Sequence, residues 1–227
     1  MELNISENDK KQKRIAEKKW LKRLELSFEQ NYFQDPEKKL SNYKDYCDRN
    51  YQDLCGVLIG ACEIQKDDLI VDYGCATGLL VSAFKKLGYE NIVGTDISYW
   101  AIEYGKTKLD LEKELQHFNR NLLIEDKDWL IMLDVLEHIQ TEQELRLLLK
   151  LVRFRKGLVL RIPVTNEAGK FYLEVSEKDE THLQRHTKNW WIDLFSSFGL
   201  QPIKYFDNND FIWDSQGVLS VILFKEG

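Results

Sequence analysis

The sequence predicts an α/β chain: a parallel sheet covered by helices on both faces, with a helical cap at the N-terminus. Three observations carry this. After Lys66, short runs rich in Ile, Val and Leu alternate with segments of helical period, as expected of buried parallel strands joined by crossover helices. At "VDYGCATG" a strand passes into a helix through small residues at positions 74, 76 and 78. Before Lys66 the apolar residues recur at three- and four-residue steps, without strand-like alternation.

In order along the chain, residues 1–14 are polar and charged. Ile15, Trp20, Leu21, Leu24 and Phe28 share one helical face, and Pro36 breaks the pattern. A second helix follows, marked by Tyr43, Tyr46, Cys47, Tyr51, Leu54, Leu58 and Ala61. "DLIVDYG" reads as the first strand, and "ATGLLVSAFKKLG" as a helix that stops at Gly88. "ENIVGTDIS" is the second strand. The segment from Ser98 to Phe118 reads as one helix, with Ser98 its N-cap. "NLLIED" reads as a short third strand and "WLIMLDV" as a fourth. "TEQELRLLLKLVRF" is a helix, and "GLVLRIPV" is a fifth strand closed by Pro163. Residues 165–187 lack periodicity and are long for a loop, which favours a functional segment. "KNWWIDLFSSFG" is the last helix, with "LQPIKYF" and "VLSVILFKE" as closing strands.

Composition narrows the classes of function. With 227 residues, 43% hydrophobic and 12% aromatic, the chain can build a core. A net charge of -6 argues against a broad nucleic-acid footprint, which needs a basic surface. The four cysteines form no CxxC pair, the stretch "MELNISENDKKQKR" lacks the apolar core expected of a signal peptide, and no apolar run in the sequence approaches membrane-spanning length. A soluble cytoplasmic protein, monomeric or homodimeric, is expected.

The turn after the first strand brings backbone close to a ligand, since Gly74 and Gly78 present no side chain there. The spacing is G-x-A-x-G. It lacks the third glycine of the dinucleotide fingerprint and the Gly-Lys-Ser/Thr of a phosphate loop. Asp96 ends the second strand about 20 residues on, the spacing of a carboxylate that accepts both hydroxyls of a ribose. Together these point to an adenosyl ligand held without pyrophosphate machinery.

"VDYGCATG", "GTDIS" and "DVLEHI", in that order, resemble class I S-adenosylmethionine-dependent methyltransferases, with small-molecule O-methyltransferases the nearest in kind. The resemblance implies a Rossmann-like sheet of seven strands, mostly parallel, with the last antiparallel. It implies a methyltransferase domain over 65–227 behind a cap segment over 1–64, and a substrate loop at about 165–187. S-adenosyl-L-methionine is the implied cofactor and S-adenosyl-L-homocysteine its product. Asp72, Gly74, Ala76 and Gly78 would cradle the methionine end, Asp96 the ribose, and Ile97 the adenine. Asp126 would be the acidic residue after the third strand, and Asp134 would line the same site.

For catalysis, His182 is the first candidate, as base or acceptor-orienting group, and His138 the second. His186, Phe171 and Tyr172 are candidates for substrate contact. No resident metal is expected. The alternative is a divalent ion on Asp134, Glu137 and His138, as similar acidic-x-x-Glu-His runs hold in some O-methyltransferases. The expected reaction is methylation of a small molecule, most readily at oxygen: a natural-product, quinone-like or sugar-containing acceptor. RNA methylation and a catalytically silent partner subunit are the alternatives.

Overall fold

A computed structural model describes Phe28, Glu29, Tyr32, Phe33 and residues 51–119, 121–206 and 212–225. The helix expected from Ile15 to Phe28 lies almost wholly outside them, as does the first half of the next. The described helices are α1 (Tyr51–Cys62), α2 (Leu79–Lys86), α3 (Tyr99–Leu109), α4 (Asn121–Ile124), α5 (Glu142–Leu151), α6 (Glu174–Lys178) and α7 (Lys188–Ser196). The strands are β1 (Ile70–Tyr73), β2 (Ile92–Asp96), β3 (Leu115–His117), β4 (Trp129–Leu133), β5 (Gly157–Pro163), β6 (Leu200–Tyr205) and β7 (Val218–Lys225).

These strands form one seven-stranded sheet in the order β3-β2-β1-β4-β5-β7-β6. β1 to β5 pair in parallel, and β7 runs antiparallel to both β5 and β6. Both faces of the sheet are covered, and successive residues of a central strand serve opposite sides. Ile70, Ile131, Val159 and Ile222 pack with Leu58, Phe84 and Ile102 on the face of α1, α2 and α3. Val71, Leu130, Leu158 and Val221 pack with Leu145, Leu149, Trp191 and Phe195 on the face of α5 and α7. The near-continuous apolar runs of the central strands follow from this two-sided burial. Among the described residues no helix is long and apolar enough to cross a membrane.

Two expectations about the elements are corrected. The helix begun at Ser98 ends at Leu109, where Asp110 takes a left-handed conformation, φ 56°, and the chain turns back. The third strand is then Leu115–His117, inside the segment read as helix. "NLLI", read as the third strand, is instead the one-turn helix α4. Its buried Leu122 and Leu123 face the α5 side, which a four-residue run satisfies as well in a helical turn as in a strand. The long segment after β5 also contains the short α6 and a single antiparallel bridge between Thr165 and Phe171.

Candidate active site

The carboxyl ends of β1, β2 and β4 open into one cavity of about 670 Å³. At one end lies the glycine-rich turn. The Thr95 carbonyl accepts the N–H of Gly74 at 2.8 Å and of Cys75 at 3.1 Å, which ties the turn to β2. Gly74 has φ 86°, and a Cβ placed on it would sit 2.4 Å from Val135 Cγ2. Position 74 therefore requires glycine twice over, for its conformation and for the space Val135 takes. Asp96 closes the turn: its Oδ2 accepts the N–H of Ala76 at 2.8 Å, and its Oδ1 accepts that of Ser98 at 2.8 Å. Ser98 in turn caps α3 by accepting from Ala101 N–H at 3.0 Å.

Asp72 and Asp96 both line this end. Burial, followed by the neighbouring Asp96 charge, pushes the Asp72 carboxyl up to about 7. Burial also raises Asp96, against the opposing pull of the Ser98 and Ala76 N–H groups. Two desolvated carboxylates around one space favour a ligand with positive charge, and each oxygen of Asp96 retains acceptor capacity for a hydroxyl. An S-adenosylmethionine-like ligand, cationic at one end and a diol at the other, fits this pair of carboxylates.

The opposite wall is built from the turn after β4 and the loop before α7. The Glu137 carbonyl accepts N–H groups from Leu183 at 2.8 Å and Gln184 at 2.9 Å, so the two segments are joined by main chain. This brings together Glu137, His138 and His182, whose potential ligand atoms all lie within 4.8 Å of one another. Glu137 Oε1 stands 4.0 Å from Nε2 of each histidine. Neither Glu137 oxygen and neither His182 ring nitrogen has a hydrogen-bond partner, though all four atoms are buried.

His138 has a fixed tautomer. Its Nδ1 lies 3.1 Å from the Thr181 carbonyl and 3.0 Å from Thr181 Oγ1. The Thr181 hydroxyl spends its proton on Asp179 Oδ1, so both neighbours of Nδ1 are acceptors and Nδ1 carries the hydrogen. The Nε2 lone pair then points at Glu137 and His182. Burial, then the charge of His182, pushes His138 down to about 4. Burial likewise lowers His182 and raises Glu137 well above the usual carboxylate range.

Residues from the N-terminal part form a strap over the cavity. Tyr32 donates its hydroxyl hydrogen to Asp179 Oδ2 at 3.1 Å. Phe28 packs edge-on to His138 with ring centroids 5.2 Å apart. Phe33 stacks on Trp100 at 5.7 Å and belongs to a cluster with Ala76 and Ala101. One short segment thus touches both the glycine-rich turn and the histidine wall.

The other sequence-predicted residues fall as follows. Asp72, Gly74, Ala76, Asp96, Ile97, Asp134, His138 and His182 line the cavity. Gly78 is the N-cap residue of α2, at φ 79°. Asp134 is held by Arg161, whose Nε lies 3.0 Å from both carboxylate oxygens, and it stands outside the Glu137–His138–His182 cluster. Because the third strand ends at His117, Asp126 lies beyond α4 at the amino end of β4, away from the cleft; Phe118 lines the cavity instead. Phe171 is turned into the body beside His182, and Tyr172 is 45% exposed. His186 stacks on Trp190 at 3.4 Å. These three do not line the cavity; Leu173, Val175 and Ser176 of the same loop do. Sequence reading missed Phe28, Tyr32, Phe33 and Asp179 as contributors. The two signals for them were the aromatic density near residue 30 and the acidic residue three before His182.

A sequence profile of the ribosomal protein L11 methyltransferase (PrmA) family matches residues 53–137. The ribosomal protein L11 methyltransferase of Thermotoga neapolitana is 29% identical over 134 residues, 58% of this chain and 50% of that protein. The chain thus spans about half the length of that relative. Among solved structures, a SAM-dependent methyltransferase from Archaeoglobus fulgidus superposes with a TM-score of 0.58 at 15% identity, over 82% of this chain and 99% of that one. Magnesium protoporphyrin IX methyltransferase from Synechocystis PCC 6803, solved with bound SAH, gives 0.56 at 17% identity, over 78% and 84%. Strand order, glycine turn and these likenesses agree: the fold is that of the class I S-adenosylmethionine-dependent methyltransferases.

Proposed function

We propose that the chain is an S-adenosylmethionine-dependent methyltransferase whose acceptor is a small molecule, methylated at oxygen. The observation that carries this is one strapped cavity with Asp72 and Asp96 at one end and the Glu137–His138–His182 wall at the other. S-adenosylmethionine supplies an electrophilic methyl on a cationic sulfur. The chain's part is to hold donor and acceptor in line, where positioning alone accounts for much of the rate. Asp72 faces the positive end, Asp96 accepts the ribose hydroxyls, and Ile97 packs on the adenine. Phe28, Tyr32 and Phe33 keep water from the reacting atoms. In the metal-free arrangement His182, neutral near pH 7, is the group placed to take the acceptor proton.

The likeness to the proteins named for ribosomal protein L11 covers half the length of that relative and does not by itself give this chain their acceptor. The profile match ends at residue 137, before the 165–187 segment that supplies Leu173, Val175, Ser176 and His182 to the cavity. The test is isothermal titration with S-adenosylmethionine and S-adenosylhomocysteine on wild type and Asp96→Ala, followed by an acceptor screen of catechols, phenols and sugars. Saturable 1:1 binding, weakened at least tenfold in Asp96→Ala, is expected. A folded wild type that binds neither nucleoside overturns the reading.

A further inference from the structure

We infer that Glu137, His138 and His182 form a binding site for one divalent transition-metal ion at the acceptor end of the cavity. Four buried atoms in one place lack a hydrogen-bond partner: both carboxylate oxygens of Glu137 and both ring nitrogens of His182. Glu137 is fully buried and His182 is 5% exposed. Leaving such groups unpaired is costly, and an ion satisfies them together. The Nδ1–H of His138, given to Thr181, leaves the lone pair on Nε2, which stands 4.0 Å from Glu137 Oε1. A ligating histidine characteristically anchors its second nitrogen in this way.

The distances fit. With sides of 4.0, 4.0 and at most 4.8 Å, the triangle has a point no more than about 2.5 Å from all three atoms. Metal–nitrogen and metal–oxygen bonds to zinc are about 2.0–2.2 Å, so closure needs shifts of a few tenths of an ångström. Asp179 Oδ2, 3.7 Å from His182 Nε2, stands behind the site and is itself tied to Tyr32 and Thr181. Asp134 has no part, because Arg161 holds it. Two imidazoles and one carboxylate suit zinc, cobalt or manganese over magnesium or calcium, which prefer all-oxygen shells. If methyl transfer is to oxygen, which rests on the function proposed above, the ion would anchor the acceptor oxygen and ease loss of its proton, and His182 would be a ligand in place of a base.

The test uses the full chain, stripped by chelator dialysis and titrated with Co²⁺ while d–d absorption is recorded, with Zn²⁺ as competitor. One Co²⁺ per chain is expected, displaced by one equivalent of Zn²⁺. Affinity should fall at least tenfold in His182→Gln and in Glu137→Gln and stay unchanged in His186→Gln. If the buried substitutions do not fold, NMR of the wild type decides: one equivalent of Zn²⁺ should shift the ring signals of two of the four histidines. A folded wild type with no saturable Co²⁺ binding up to millimolar ion, or Zn²⁺ shifts confined to His117 and His186, overturns the site. Neither measurement needs cofactor or acceptor, so failure here leaves the methyltransferase proposal standing.

Discussion

Replacing Asp72 with Asn should stabilise the protein in a pH-dependent way while weakening its hold on a cationic ligand. Asp72 is 4% exposed on β1, and its carboxyl is pushed up from 3.8 to about 7 by burial and by Asp96. The sign follows from linkage. Between 3.8 and about 7 the native state keeps a proton that the unfolded chain has released, so stability falls as pH rises through that window. Below it both forms are neutral and Asn gains nothing. Above it the ionised, desolvated carboxylate works against folding by up to about 4 kcal/mol, at about 1.4 kcal/mol for each unit of displacement. In a domain of this size that is a rise in Tm of roughly 10 °C for Asp72→Asn at pH 8, shrinking to little at pH 4. Thermal melts of both proteins at pH 4, 6 and 8 read this effect together with the relief of the neighbouring Asp96, which shares the site with Asp72. Titration with S-adenosylmethionine at pH 8 should show the opposite penalty, a loss of at least tenfold in affinity. A Tm difference that does not change with pH would refute the account of a buried, uncompensated acid awaiting a cation.

Three further outcomes are expected. Gly74→Ala must fit a methyl into the space of Val135 at φ 86°, so it should cost on the order of 1–3 kcal/mol in urea unfolding and lower S-adenosylhomocysteine affinity at least tenfold. Ser98→Ala removes the acceptor for Ala101 N–H and should lower stability by about 1 kcal/mol, a fall in Tm of about 2–4 °C. Tyr32→Phe deletes the hydroxyl on Asp179 and should cost about 0.5–1.5 kcal/mol in urea unfolding, with limited proteolysis showing faster cleavage near residues 28–33.

The legible parts of the fold were those with strong local signals. β1, α2 and β2 were readable because buried runs are punctuated by glycines, and Ser98 was readable as a cap because hydroxyl chemistry at a helix start is local. β3 was not, since only Leu115 of its three residues is buried and the strand sits at the sheet edge. "NLLI" misled because three consecutive apolar residues carry no period that separates strand from helix. The glycine-rich end of the cavity was legible because its turn is contiguous in sequence. The acceptor end was less so. His138 meets Thr181 across 43 residues, and Tyr32 meets Asp179 across 147. No local pattern encodes such pairings, so Glu137 and His182 could be named as candidates but not as neighbours.

The two ends of the cavity are held to one another through the end of β4. Val135 fills the space that Gly74 leaves, so the glycine-rich turn rests directly on the residue after Asp134. Two residues further on, the Glu137 carbonyl carries the N–H groups of Leu183 and Gln184, and the Gln184 side chain donates to the Ile139 carbonyl at 2.6 Å. The loop bearing His182 is therefore fixed to the same short turn that abuts the glycine-rich segment. Methyl transfer demands a donor and acceptor in line within a few tenths of an ångström, and a mobile loop alone does not hold that tolerance. Mounting both walls on one strand end supplies it. Phe28, Tyr32 and Phe33, packed with His138, Asp179 and the cluster that holds Ala76, then close a geometry that β4 has already set. On this arrangement the strap contributes exclusion of water, and the strand contributes alignment, which is why Tyr32→Phe should be mild where Gly74→Ala is not.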